Sequence, residues 1–167
     1  MNQLFKVSYK DRVIEAEIKE LIGAKFNLLE RFKMKGVGSQ RFTVEGVNRE
    51  LSDLWQGQSG AQLTNIEMRK KGILLWFRFK IENYVLAFPY SRLNVYKNNN
   101  VLTLISGKWT IRLKAANNIP LKMEFVRKLF EKKNEFLPEQ QQDYYGDFLE
   151  SPNDQSMSLP KIPKKDE

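Results

Sequence analysis

The chemistry open to this sequence is bounded first by what it lacks. Its 167 residues include no histidine and no cysteine. That rules out a Ser-His or Cys-His nucleophile, disulfides and thiolate metal sites, and it removes the commonest general base. An enzyme would have to work with carboxylates, Lys or Tyr, and no carboxylate pair stands out. The sequence therefore reads as non-enzymatic, with no catalytic residue, cofactor or metal. What remains is cation chemistry at strand spacing. In "ILLWFRFKI", alternation sends Ile73, Leu75, Phe77, Phe79 and Ile81 toward a core, and Leu74, Trp76, Arg78 and Lys80 the other way. In "KWTIRLK", Trp109, Ile111 and Leu113 point inward, while Lys108, Thr110, Arg112 and Lys114 point outward. In "NIEMRKK", Glu67, Arg69 and Lys71 are outward, and Arg69, Lys70 and Lys71 form a basic loop ending at Gly72.

Two readings of this basic face stand side by side. In the first it is a solvated surface, and Trp76 covers an apolar patch beneath an N-terminal helix. In the second it is an anion-binding face with one aromatic platform. Its targets would be anionic phospholipid headgroups, an acidic protein segment or nucleic acid. Arg and Lys with an aromatic suit single-stranded nucleic acid, but stacking platforms normally offer several aromatics and one is apparent here. A third use of Trp76 and its neighbours is a homo-oligomer interface.

Net charge is +8, and residues 61–120 account for the surplus, with ten basic side chains against Glu67 and Glu82. Such local excess bears on partners rather than on fold. With 11 Phe, 6 Tyr and 3 Trp, the chain can build a core. Its longest apolar run, Ile73 to Phe77, is far below the roughly 18 residues of a membrane span. "MNQLFKVSYKDR" lacks the apolar region of a secretory signal. The expected location is the cytoplasm, with peripheral membrane contact as a variant.

The elements that must position these residues are mostly strands. "NIEMRKKG", "ILLWFRFKI", "YVLAFPY", "LNVYK", "VLTLIS" and "WTIRLKA" are short β-branched and aromatic runs separated by turn residues, the pattern of consecutive antiparallel strands. "EN" is read as the turn before Tyr84 and "NNN" as the turn before Val101. Pro89 cannot donate to a ladder, so it closes a strand, and Tyr90-Ser91-Arg92 makes a corner. "NNIPLKMEFVRKLFEKKNEF" follows as a helix. Asn117 or Asn118 caps it, Pro120 sits in its first turn, and Leu121, Phe125, Val126, Leu129 and Phe130 share one face.

The first sixty residues are mixed. "DRVIEAEIKELIGAKFNLLERF" places Ile14, Ile18, Leu21, Ile22, Leu29 and Phe32 on one helical stripe, with "SYKD" as a capping box. The same stretch permits a hairpin, with Phe5, Val7 and Tyr9 alternating out and Ile14, Ala16 and Ile18 alternating back. "RFTVEGV" reads as a strand and "NRELSDLW" as a short helix or turn. "GVGSQ" is not a phosphate loop, because it lacks P-loop Lys and Ser or Thr. Residues 138–167 read as an acidic, largely disordered tail. Its stretch 139–154 has five acids and no base, with Tyr144, Tyr145 and Phe148 available to strap across the basic strands.

Strands followed by one amphipathic helix, with "YVLAFPYSRLNVYKNNNVLTLISGKWTIRLKAANNIPLKMEFVRKLF" at its centre, resemble the bacterial PH-like (GRAM-like) domain. The resemblance covers about residues 62–134 and rests on Phe88, Pro89, Tyr90, Leu93 and the helix from Leu121. It implies a mainly β fold with flanking helices (α+β), a bent antiparallel sheet or small PH-like barrel capped by a C-terminal helix. A seventh strand must then come from the N-terminal part, with "RFTVEGV" as the candidate. It divides the chain into a mixed segment (1–60) packed on the barrel, the barrel plus helix (61–137) and the tail. It also implies an adaptor module whose hairpin loop, here Arg69, Lys70 and Lys71, grips lipid phosphates. A nucleic-acid-binding β-barrel is the alternative.

Overall fold

The computed structural model describes residues 3–56 and 60–137. The expected 139–154 strap lies outside these residues. In chain order the elements are β1 (Leu4–Lys6), α1 (Arg12–Ile22), α2 (Leu28–Lys33), β2 (Phe42–Val47), α3 (Arg49–Leu54), β3 (Leu63–Arg69), β4 (Gly72–Phe79) and β5 (Glu82–Pro89). A 3₁₀ turn at Tyr90–Arg92 leads to β6 (Leu93–Asn98), β7 (Val101–Ser106) and β8 (Trp109–Ala115), and α4 (Met123–Asn134) ends the series. Eight strands form one antiparallel sheet in the order β1-β5-β4-β3-β2-β8-β7-β6.

The sheet bends at β2. This strand pairs with β3 at only Phe42↔Thr64 and Thr43↔Leu63. It pairs with β8 from Phe42 to Val47, with a bulge between Val44 and Gly46. The two halves fold over one apolar core that includes Phe42, Ile66, Ile73, Leu75, Phe88, Leu104, Ile111 and Leu113. Phe125, Val126, Leu129 and Phe130 of α4 belong to the same core. A bent sheet capped by a C-terminal helix is thus present, but the sheet is not closed into a barrel. Its terminal strands, β1 and β6, are not neighbours. The free edge of β5 is taken by β1 (Phe5↔Val85), and the chain leaves β5 at Pro89, which has no N–H to continue the ladder.

Both N-terminal readings survive in part. β1 is the outgoing strand of the hairpin reading, whereas residues 12–22 form a helix instead of a returning strand. The cap is Asp11 rather than Ser8: its carboxylate accepts from the amides of Val13 (2.8 Å) and Ile14 (3.4 Å). Ser8 Oγ instead accepts from the Asn83 amide. The stripe Ile14, Ile18, Leu21 and Ile22 packs on Leu74, Val85 and Ala87, forming a second small core on the outer side of the sheet. Leu74, outward by alternation, is therefore buried. Gly23 stops α1 at φ +79, a backbone state that favours glycine. The stripe ends there, and Leu29 and Phe32 are exposed rather than packed.

Two other expectations shift by a few residues. The β4–β5 turn falls at Lys80-Ile81, with Lys80 at φ +55, and Glu82 and Asn83 already pair with Phe79 and Arg78. Ile81 is consequently exposed rather than in the core. α4 begins at Met123, with Lys122 at its cap position and no side-chain cap bond. The Lys122 amide donates instead to Gln40 Oε1 (2.6 Å). Asn117 adopts φ +58 in a 3₁₀ turn ahead of the helix.

Candidate functional site

The fold distributes the eight candidate cation and aromatic residues over three places. Arg69, Lys70 and Lys71 occupy the β3–β4 hairpin. Arg69 is only 7% exposed, with its Nε 2.8 Å from Glu67 Oε1. Burial pulls its pKa down, and Glu67 opposes that shift. Lys70 Nζ sits 2.9 Å from Glu30 Oε1. Lys71 is exposed, and its amide donates to the Ile22 carbonyl. Arg69, expected to face outward, is thus buried beside Glu67.

Arg112 lies on the outer face of β8, and Lys108 in the turn just ahead of it. Lys108 Nζ is 2.6 Å from Glu50 Oε2 and 4.9 Å from the Trp109 ring centre. Arg112 and Lys114 share Glu45, at 4.0 and 3.6 Å. Three cations there face two carboxylates. Across the same face, Arg112 pairs in register with Thr103, and Thr103 with the exposed Tyr96.

Trp76, Arg78 and Lys80 line a groove of ≈ 720 Å³ on the outer side of β3 and β4, together with Arg41, Gln62, Leu63 and Asn65. β4 positions Trp76 and Arg78 by alternation, because Phe77 and Phe79 are held in the aromatic cluster with Trp55 and Tyr84. Trp76 faces Asn65 of β3. Its indole N–H donates to Glu67 Oε2 (3.2 Å), so Glu67 serves Arg69 and Trp76 at once and fixes the ring as one wall. One edge of Trp76 also joins the packing under α1. The groove lining holds no carboxylate. Among the described residues, Arg41, Arg78 and Lys80 make no ion pair. Arg41 and Asn65 were not singled out from the sequence. Arg41 was within reach of the same rule, since Phe42 points inward and its neighbour must point out.

This arrangement offers cations with no ion pair among the described residues and an amide beside an indole wall, which is chemistry for holding an anion. Among the described residues, no cluster of acidic side chains could hold a metal, and no helix is long and apolar enough to cross a membrane. No family model, curated protein or solved structure matches the chain. Strand order and terminal helix are loosely compatible with an open PH-like topology, and the family itself is not shown.

Proposed function

We propose that this domain is a non-enzymatic, PH-like binding module that takes an acidic partner, a protein segment or an anionic membrane surface, in the groove of Arg41, Trp76, Arg78 and Lys80. The observation that carries this reading is the contrast in pairing. Lys70, Lys108 and Arg112 each have a carboxylate within 4.0 Å, while the groove cations have none among the described residues. Among the described residues, an anion entering the groove displaces no ion-pair partner of these cations. Entry at Lys108 or Arg112 would compete with Glu50 or Glu45. A nucleic-acid reading draws on the exposed Tyr96, which shares a shallow pocket with Thr103 and Arg112.

The test is a titration of a fluorescent acidic peptide into the full-length protein at low salt. Arg78→Glu/Lys80→Glu should weaken binding about tenfold or more, corresponding to about 1.4 kcal/mol. Lys108→Glu/Arg112→Glu should change it by less than about threefold. Binding should weaken as salt is raised. A labelled single-stranded oligonucleotide runs in parallel. If it binds more tightly than the peptide, and binding depends on Tyr96, the nucleic-acid reading replaces the acidic-peptide one.

A further inference from the structure

The segment Phe26–Met34 is built unlike the rest of the molecule. Its two ends, Phe26 and Met34, pack on the main core. Between them α2 buries none of its residues, and Leu28, Leu29 and Phe32 are 83%, 63% and 84% exposed. Single exposed apolar residues are ordinary, but three large ones on two turns of helix are not.

This prong is held in place. Asn27 and Glu30 form a capping box, with the Glu30 amide donating to Asn27 Oδ1 (2.8 Å) and the Asn27 amide to Glu30 Oε2 (2.7 Å). Lys70 ties Glu30 to the β3–β4 hairpin. From α4, Lys128 Nζ donates to the carbonyls of Met34 (2.9 Å) and Gly36 (3.2 Å). The exposed side chains therefore project from a fixed base.

At about 100° per residue, Leu28, Phe32 and Leu29 share an arc of about 100°, flanked on one side by Arg31 and on the other by Lys33. Glu30 stands opposite, toward the body. Lys25 and Lys35 bracket the helix, and Lys71 lies on the adjoining hairpin. All of these cations are exposed, and among the described residues none of them makes an ion pair. An apolar tip inside a basic collar fits a bilayer with anionic headgroups, where the tip enters the acyl boundary and the collar meets phosphate and carboxylate. It does not fit a second copy of the same prong, which would set the two collars against each other.

We infer that α2 is an insertion prong that docks the domain on an anionic lipid bilayer through Leu28, Leu29 and Phe32, with Arg31, Lys33 and Lys35 on the headgroups. This surface is separate from the Arg78 groove. The groove is read with a soluble peptide and the prong with the vesicle binding that Leu28 and Phe32 variants lose, so either can fail alone.

The experiment is co-sedimentation of full-length protein with vesicles of phosphatidylcholine and phosphatidylserine, beside a Leu28→Ser/Phe32→Ser variant. Both side chains are exposed, so the variant should melt with the wild type. Its vesicle affinity should fall about tenfold or more. Lys33→Glu/Lys35→Glu should lower it as well and flatten its salt dependence. In Phe32→Trp, added fluorescence should be quenched by vesicles with brominated acyl chains. Equal sedimentation of wild type and the Ser double variant would overturn the proposal, as would an unquenched Phe32→Trp. A dimer that the Ser variant dissociates, with no vesicle binding, would assign the face to a second copy and overturn it too.

Discussion

Gly72 shows how closely one residue couples the two cores. It opens β4 against Pro89 of β5, and α1 lies directly on it. An added Cβ would press on the Phe88 carbonyl oxygen and stand 2.6 Å from Ile22 Cγ2. Neither neighbour is a flexible chain end. Gly72→Ala should therefore cost about 1–3 kcal/mol, read as a lower denaturation midpoint with an unchanged slope. Glu30 gives a pH effect of known sign. Its carboxyl pKa is held below the ordinary 4.5, first by the Asn27 amide and then by Lys70. A depressed pKa means the stabilisation is complete above the unfolded value and is lost as pH falls through the folded one. An acid titration of the Asn27 amide shift should show its transition below pH 4.5, and Glu30→Gln should abolish it.

At the scale of elements, the helix that caps the core is the most exacting. Phe125 and Leu129 are buried between α4 and the sheet. Phe125→Asp would put an unpaired charge there and should leave the domain unfolded. Leu129→Ala should cost about 2–5 kcal/mol, measured by chemical denaturation. Retention of the wild-type midpoint by either variant would contradict the packing described. The strands and this helix were legible because period-2 and helical spacing are local signals: Phe77, Phe79, Trp109 and Ile111 are buried as alternation requires, and Arg78, Lys80, Lys108 and Arg112 are exposed. What periodicity misses is set by partners distant in sequence. Alternation puts Leu74 outward and sets Arg69 beside Glu67 on one face, but it cannot show that α1 packs over Leu74. A helical stripe running through Gly23 cannot show that the chain breaks there and turns Phe32 to solvent. The turn at Lys80-Ile81 was misplaced because a lysine at positive φ carries no turn signature.

For the molecule as a whole, the candidate site was half visible. The cation surplus of residues 61–120 was countable, and Trp76, Arg78 and Lys80 do share a groove. Which cations have internal partners was not readable, because Glu30 and Glu50 come from helices and Glu45 from β2, all far in sequence from the cations they meet. Those acids pair with Lys70, Lys108, Arg112 and Lys114 and leave the groove cations without a partner among the described residues, and the functional proposal rests on that contrast. It is tested most directly by mapping amide chemical-shift changes while an unlabelled acidic peptide is titrated into the full-length protein at low salt. The account predicts the largest changes at Arg41, Asn65, Trp76, Arg78 and Lys80, with the outer face of β6–β8 nearly still. Largest changes at Tyr96, Thr103 and Arg112, with the groove unmoved, would contradict it.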